Sequence, residues 1–230
     1  AGARGAARGD VARGRGCGRA PTLAAAGGEP RPPGGWARAG AGGLLGDSSN
    51  VVHGHALTDA QLELRLGRGV TFSLTPETEM LQGHGFSITG RLRKLGAQPS
   101  LGPDFESGVS GDLFTVARIA LASQRAMDNA ESRATHGKLP GTSTIRCGEA
   151  LGWITTEGAR MLKMEDRIGS LAPGKQADVI MIRADDLNMW PVHDPVASVV
   201  MQAGTGNVDT VMVAGEIRKR AQLAGIEQGQ

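Results

Sequence analysis

Tyrosine is absent from these 230 residues, and aromatic side chains of all kinds make up 3%. A core must therefore be built from Leu, Ile, Val, Met and Ala, and platforms for stacking nucleic-acid bases are scarce. No apolar run of about 18 residues occurs, so nothing in the sequence reads as a membrane-spanning helix. Charge of one sign is not in excess: the formal net charge of +2 calls for no nucleic-acid, membrane or acidic partner. Only two cysteines are present, Cys17 and Cys147, in unlike contexts. They point to free thiols in a reducing compartment rather than to a disulfide framework. The N-terminal arginines are not followed by an apolar stretch, so a secretory signal is not expected. The same segment has the Arg/Ala-rich, acid-poor composition of an organelle transit peptide, but its Gly and Pro oppose an amphipathic helix. The expected location is the cytoplasm.

What is present divides into unlike parts. Of the first 46 residues, 37 are Gly, Ala, Arg or Pro. Such a segment buries too little apolar surface to offset the entropy of ordering it, so residues 1–43 are expected to be disordered. One reading makes them a basic arm that neutralises RNA phosphates. The other, which the lone Trp36 favours, makes them an unstructured leader or out-of-frame coding sequence.

From Leu44 onward the pattern is that of a folded protein. Val51-Val52 begins a strand ending at His53-Gly54-His55. Thr58 to Gln61 is a capping box opening a helix with Leu62, Leu64 and Leu66, closed by Gly67 and Gly69. Val70 to Leu74 alternates as a strand and stops at Pro76. A short helix is expected over 89–95 and a strand over 98–101. Asp112 caps a helix expected to run through Met127, with Leu113, Ala117, Ala120, Leu121 and Gln124 at helical spacing. Residues 129–145 read as a loop, and 147–163 as one helix with Ala150, Leu151, Ile154 and Met161 facing inward. Strands alternating with helices imply parallel βα units. After Asp166 the style changes: Pro173-Gly174 turns, 178–182 is a strand, and 208–213 with 216–220 forms a hairpin about Ala214-Gly215.

Four segments carry a further signal. They are Val-Val-His-Gly-His-Ala-Leu-Thr-Asp (51–59), Thr-Pro-Glu-Thr-Glu-Met-Leu-Gln-Gly-His-Gly (75–85), Leu-Gly-Pro-Asp (101–104) and Asp-Arg-Ile-Gly-Ser-Leu-Ala-Pro-Gly-Lys-Gln-Ala-Asp (166–178). In this order, over about residues 44–220, the chain resembles the amidohydrolase superfamily, in its cytosine deaminase-like and atrazine chlorohydrolase-like branch. The resemblance implies an α/β fold: the last strands and helices of a (β/α)8 barrel over 44–165, followed by a small β-rich composite-sandwich segment over 166–230. It also implies a hydrolase acting on carbon–nitrogen bonds other than peptide bonds, a deaminase or dechlorinase of an amino- or chloro-substituted heterocycle. One divalent metal, zinc or iron, is the implied cofactor. The implied partner is a small heterocyclic substrate, with no membrane, no nucleic acid, and a homodimer as in many relatives.

By the same resemblance Asp104 is the carboxylate of the last barrel strand, which binds the metal and accepts a proton from the attacking water. As a residue alone, it reads equally as a loop Asp capping a turn. Pro103 stands where the family usually has Thr, which removes a backbone donor. His53 corresponds to the histidine after the sixth strand, which faces substrate and attacking water; its plain alternative is a hydrogen-bonded strand-end histidine. His55 completes a His-x-His pair, a pattern found on the family's first strand, but its context here makes it structural. His84 and Glu79 are the expected substrate-binding residues, with Glu79 where many relatives carry Asn; an ordinary loop is the equal alternative. Glu106 and Ser107 are expected to support Asp104, whereas His193 is structural and His136 and Cys147 carry no role.

A working site of this kind also needs a first-strand histidine pair, a fifth-strand histidine and a proton-shuttling glutamate. None has a counterpart in residues 1–50. The expectation is therefore a C-terminal portion of a hydrolase, inactive in isolation. The alternative from another class is a non-catalytic RNA-binding or interaction module with a basic arm. A third reading, a complete small enzyme with metal on His53, His55 and Asp104, requires stoichiometric zinc.

Overall fold

The computed structural model describes residues 22–24 and 45–220. The disordered segment and basic arm expected over 1–43 lie outside the described residues, apart from Thr22–Ala24, which form a strand. Seven strands are described: β1 (Thr22–Ala24), β2 (Asn50–Val52), β3 (Thr71–Leu74), β4 (Ser100–Leu101), β5 (Val179–Ile182), β6 (Val208–Val213) and β7 (Glu216–Arg220). Among them run helices α1 (Asp59–Leu66), α2 (Pro76–Leu81), α3 (Thr89–Lys94), α4 (Leu113–His136), α5 (Cys147–Trp153), α6 (Thr156–Met161) and α7 (Pro195–Met201).

Strands β1 to β4 pair in chain order, all parallel, with Val51 beside Phe72 and Leu74 beside Leu101. Period-two alternation gives this sheet two unlike faces. Val51, Phe72, Leu74 and Leu101 are buried with Leu62 of α1, Leu92 of α3, and Val116, Ala120 and Leu121 of α4. The other face is polar and cross-linked. Asn50 Oδ1 accepts from the Thr71 and Ser73 hydroxyls, and the Ser73 and Ser100 hydroxyls meet at 2.6 Å. Trp153, the largest fully buried side chain, satisfies its indole N–H on Gln98 Oε1 at 2.6 Å.

The capping box of α1 forms as its sequence requires: the Gln61 N–H reaches Thr58 Oγ1 and the Thr58 N–H reaches the Gln61 side chain. Four local readings need correction. Helix α4 does not stop at Met127 but continues to His136, through part of the segment expected as a loop. Residues 128–136 contain neither Pro nor Gly, and α4 ends only where Gly137 takes a left-handed φ of 67°. The single helix expected over 147–163 is two, α5 and α6, broken where Thr155 leaves helical geometry at ψ −86°. Helix α2 occupies a stretch after the Pro76 stop to which the pattern assigns no element; Pro76 sits in its first turn, where a missing N–H costs nothing. Helix α7 was also unforeseen: Asp194 caps it through the Val196 and Ala197 N–H groups, ahead of Pro195.

Strands β5, β6 and β7 form a separate antiparallel sheet, with the β6–β7 hairpin turning at Ala214 and Gly215, both at positive φ. Phe114 at the start of α4 packs with Met189 and Ala203 of this tail. The Arg118 guanidinium crosses the same junction to the Val200 and Ala203 carbonyls. No helix among the described residues is long and apolar enough to cross a membrane.

Burial at the α1–sheet contact sets the expected cost of trimming it. Leu62→Ala should destabilise the chain by about 2–5 kcal/mol through lost burial and a cavity. Leu187→Ala, at a side chain 97% exposed, should change stability by less than about 0.5 kcal/mol. Denaturant unfolding of the two variants beside the wild type checks the contrast, and equal losses would contradict this core.

Candidate functional site

The ends of β2, β3 and β4 deliver His53, Thr75 and Asp104 to the same edge of a parallel sheet. His53 leaves β2 with a left-handed φ of 71°, while its N–H still bonds the Ser73 carbonyl at 2.9 Å. Gly54 follows at φ 86°, and a Cβ there would stand 2.8 Å from Ile88 Cδ1. Only glycine lets the chain turn so tightly against the core at this point.

The turn buries the His53 imidazole beside a carboxylate. Its Nδ1 lies 3.2 Å from Glu79 Oε1 and 3.1 Å from Thr75 Oγ1. Glu79 is carried by α2, one turn beyond Thr75, and the same Oε1 accepts the Thr75 N–H at 3.1 Å. The Glu79 side chain is fully buried, at 0% exposure.

Two more imidazoles close around this pair. The ring centroids of His84 lie 5.7 Å from His53 and 6.1 Å from His55, both in edge-on arrangements. His55 Nε2 donates to the Phe86 carbonyl at 3.0 Å and stands 3.8 Å from Glu79 Oε2. That bond places the proton on Nε2, leaving Nδ1 as the lone-pair nitrogen. Within the cluster, His55 Nδ1, His84 Nδ1 and Glu79 Oε2 are buried without a hydrogen-bond partner. Burial lowers the His55 pKa below its ordinary 6.5, against the opposing pull of the Glu79 charge and the Phe86 carbonyl.

Of the residues expected from sequence, His53, Glu79 and His84 are thus brought together. Asp104 is not among them. It is exposed beyond β4, at a left-handed φ of 76°, with Glu106 and Ser107 also exposed. Pro103 before it has its carbonyl engaged by the Thr78 hydroxyl at 2.9 Å. Thr75 and His55 join the cluster unforeseen as polar neighbours of Glu79. Thr75 had a readable signal, as the last residue before Pro76 at a strand end.

The donor set does not suit a metal ion. Among the described residues no group of three or more His, Cys, Asp or Glu side chains could hold one. The chemistry agrees: Glu79 Oε1 is committed to His53 and Thr75, and the His55 Nε2 proton to Phe86. Three protein ligands are the usual minimum for a catalytic zinc. A separate cavity of about 180 Å³ lies at the opposite strand ends, lined by Phe72, Leu92, Ala97 and Met161 with Glu157 and Arg160. Burial there raises the Glu157 pKa, against the opposing charge of Arg160.

Residues 23–218 match the amidohydrolase family. The chain belongs to that family. Among this amidohydrolase's relatives, a 5-methylthioadenosine/S-adenosylhomocysteine deaminase of Teredinibacter turnerae is 32% identical over 177 residues, covering 76% of this chain and 37% of the relative. An 8-oxoguanine deaminase of Pseudomonas aeruginosa is 34% identical over 178 residues, covering 76% and 36%. A zinc-bound adenosine deaminase structure from Xanthomonas campestris superposes with a TM-score of 0.71 at 25% identity, over 92% of this chain and 43% of that one. Atrazine chlorohydrolase TrzN from Arthrobacter aurescens, crystallised with zinc, gives 0.74 at 19% identity, over 94% and 48%. The chain thus spans 37% and 36% of the two deaminases and somewhat under half of the two solved structures.

Depressed basicity at His55 has a consequence for stability. As pH falls through about 6.5 the unfolded chain takes up this proton before the folded one does, so stability present above that pH is lost in acid. His55→Gln, which keeps a donor for Phe86, should therefore lose less melting temperature than the wild type between about pH 7.5 and about pH 5. Identical losses in both proteins would show that His55 titrates alike in the folded and unfolded chain.

Proposed function

We propose that this amidohydrolase chain supplies the C-terminal part of a hydrolase that releases ammonia, or chloride, from an amino- or chloro-substituted heterocycle. The observation carrying this reading is the common edge: His53, Thr75 and Asp104 all lie at the C-terminal ends of parallel strands, where barrel enzymes hold their reacting groups. The overall reaction adds water at a ring carbon and breaks the bond to nitrogen or chlorine. His53 faces the leaving group through Nε2, the nitrogen that Glu79 and Thr75 leave free, and donates there once that nitrogen has taken up a proton. His84, beside it, lines the heterocycle pocket. Asp104 is proposed as the proton acceptor for the attacking water and as one ligand of a divalent metal. Zinc is favoured over iron by the relatives crystallised with it.

The described residues do not fit that metal by themselves. All five histidines of the sequence lie at or after residue 53. The first-strand pair that such a site requires would come from sequence outside this chain.

The test is to compare the 230-residue chain with a longer chain containing the adjoining upstream sequence of its source. Elemental analysis should find zinc in the longer form and none at stoichiometric level in the shorter one. Ammonia release from aminated purines, pyrimidines and triazines should follow the same division. Asp104→Asn in the longer form should lower turnover by about a hundredfold or more. A metal-free, inactive longer chain would defeat the proposal.

A further inference from the structure

We propose that Glu79 is a positioning residue: its carboxylate dictates which nitrogen of His53 carries the proton. The role at the reaction rests on the reading of His53 above, but the tautomer itself does not.

Glu79 is shut off from solvent and reaches any bound molecule only through its neighbours. Its Oε1 gathers the Thr75 N–H at 3.1 Å and faces His53 Nδ1 at 3.2 Å. An ionised carboxylate accepts and never donates, so the approach is attractive only when Nδ1 carries the proton. With the lone pair on Nδ1 instead, two electron-rich atoms would face each other in a buried, weakly screened place. The Thr75 hydroxyl, 3.1 Å from the same nitrogen, is compatible with either tautomer, because it both donates and accepts. His55 does not compete, since its Nε2 proton goes to Phe86 at 3.0 Å and stays 3.8 Å from Glu79. The other cluster nitrogen that lacks a partner, His84 Nδ1, belongs to a ring 5.7 Å from His53.

His53 is thereby held as the Nδ1–H form, with the Nε2 lone pair pointing away from Glu79. A ring fixed this way accepts a hydrogen bond or a proton at Nε2 and does not offer one there until it is protonated. A side chain with no acceptor at position 79 would lose that control, leaving Nδ1 only the Thr75 hydroxyl, which serves either tautomer.

The experiment is ¹⁵N–¹H long-range correlation on the full chain labelled at histidine. The five histidines are assigned by single His→Gln variants. In the wild type, His53 Nδ1 should be the protonated nitrogen in more than about nine-tenths of molecules, falling to about half in Glu79→Leu, which has no acceptor. Thr75→Ala should leave the wild-type tautomer in place. A purely structural Glu79 would alter the melting temperature but not the tautomer. Finding Nε2 protonated in the wild type would overturn the proposal, as would an unchanged Nδ1–H population in Glu79→Leu. The wild-type measurement decides even where a variant folds poorly. No metal or substrate is needed, so failure of the hydrolase reading and failure of this one give separate results.

Discussion

Parallel pairing of β2, β3 and β4 is the constraint from which the rest of this molecule follows. It sets Val51, Phe72, Leu74 and Leu101 on one face, where α1, α3 and α4 cover them. Burial of that apolar surface is the main stabilising term, and it is non-directional. Direction comes from the ladder and from the hydroxyl and amide bonds among Asn50, Thr71, Ser73 and Ser100 on the other face. Because parallel strands all point one way, their ends bring residues distant in sequence to a common edge. Gly54 then lets the first of these ends turn sharply enough to bury His53 rather than expose it.

Burying a carboxylate among imidazoles is costly unless the donors around it are arranged in advance. Here one oxygen of Glu79 is served by a backbone N–H and an imidazole. The other is left beside His55 with no bond. Three unpartnered polar atoms in one small cluster are unusual in a folded interior. They are one reason this edge is proposed as the functional one. The contrast with Asp104 is instructive: the strand end expected to hold a ligand is exposed, and the histidine end is closed. A family member that spans less than half of its relatives' length has its strand ends in register, but its described side chains do not make a metal centre.

Much of the local structure was legible. The capping box at Thr58, the alternation at 70–74 and the turn at Ala214-Gly215 each depend on residues within a few positions of one another. Those signals act through local hydrogen bonding and backbone preference, and they survive without knowledge of what packs against them. The misreadings share a cause as well. In α4 the apolar stripe fades after Met127 while the backbone continues, because helix propagation needs no buried face once a long helix exists. The break at Thr155 and the short helix at Pro76 depend on how each segment docks, which composition does not encode.

The residues by themselves determined which side chains stand at strand ends: His53 after an apolar pair, Asp104 after Leu-Gly-Pro, and Glu79 a few positions past a strand. Each follows from period and turn chemistry along one stretch of chain. Only the tertiary structure decided that Glu79 turns onto His53, that two imidazoles approach one buried carboxylate with a third beside them, and that Asp104 stays outside them. Those outcomes depend on distances between segments more than twenty residues apart, and such distances are set by packing and by left-handed turns at His53 and Asp104 that no local pattern announces.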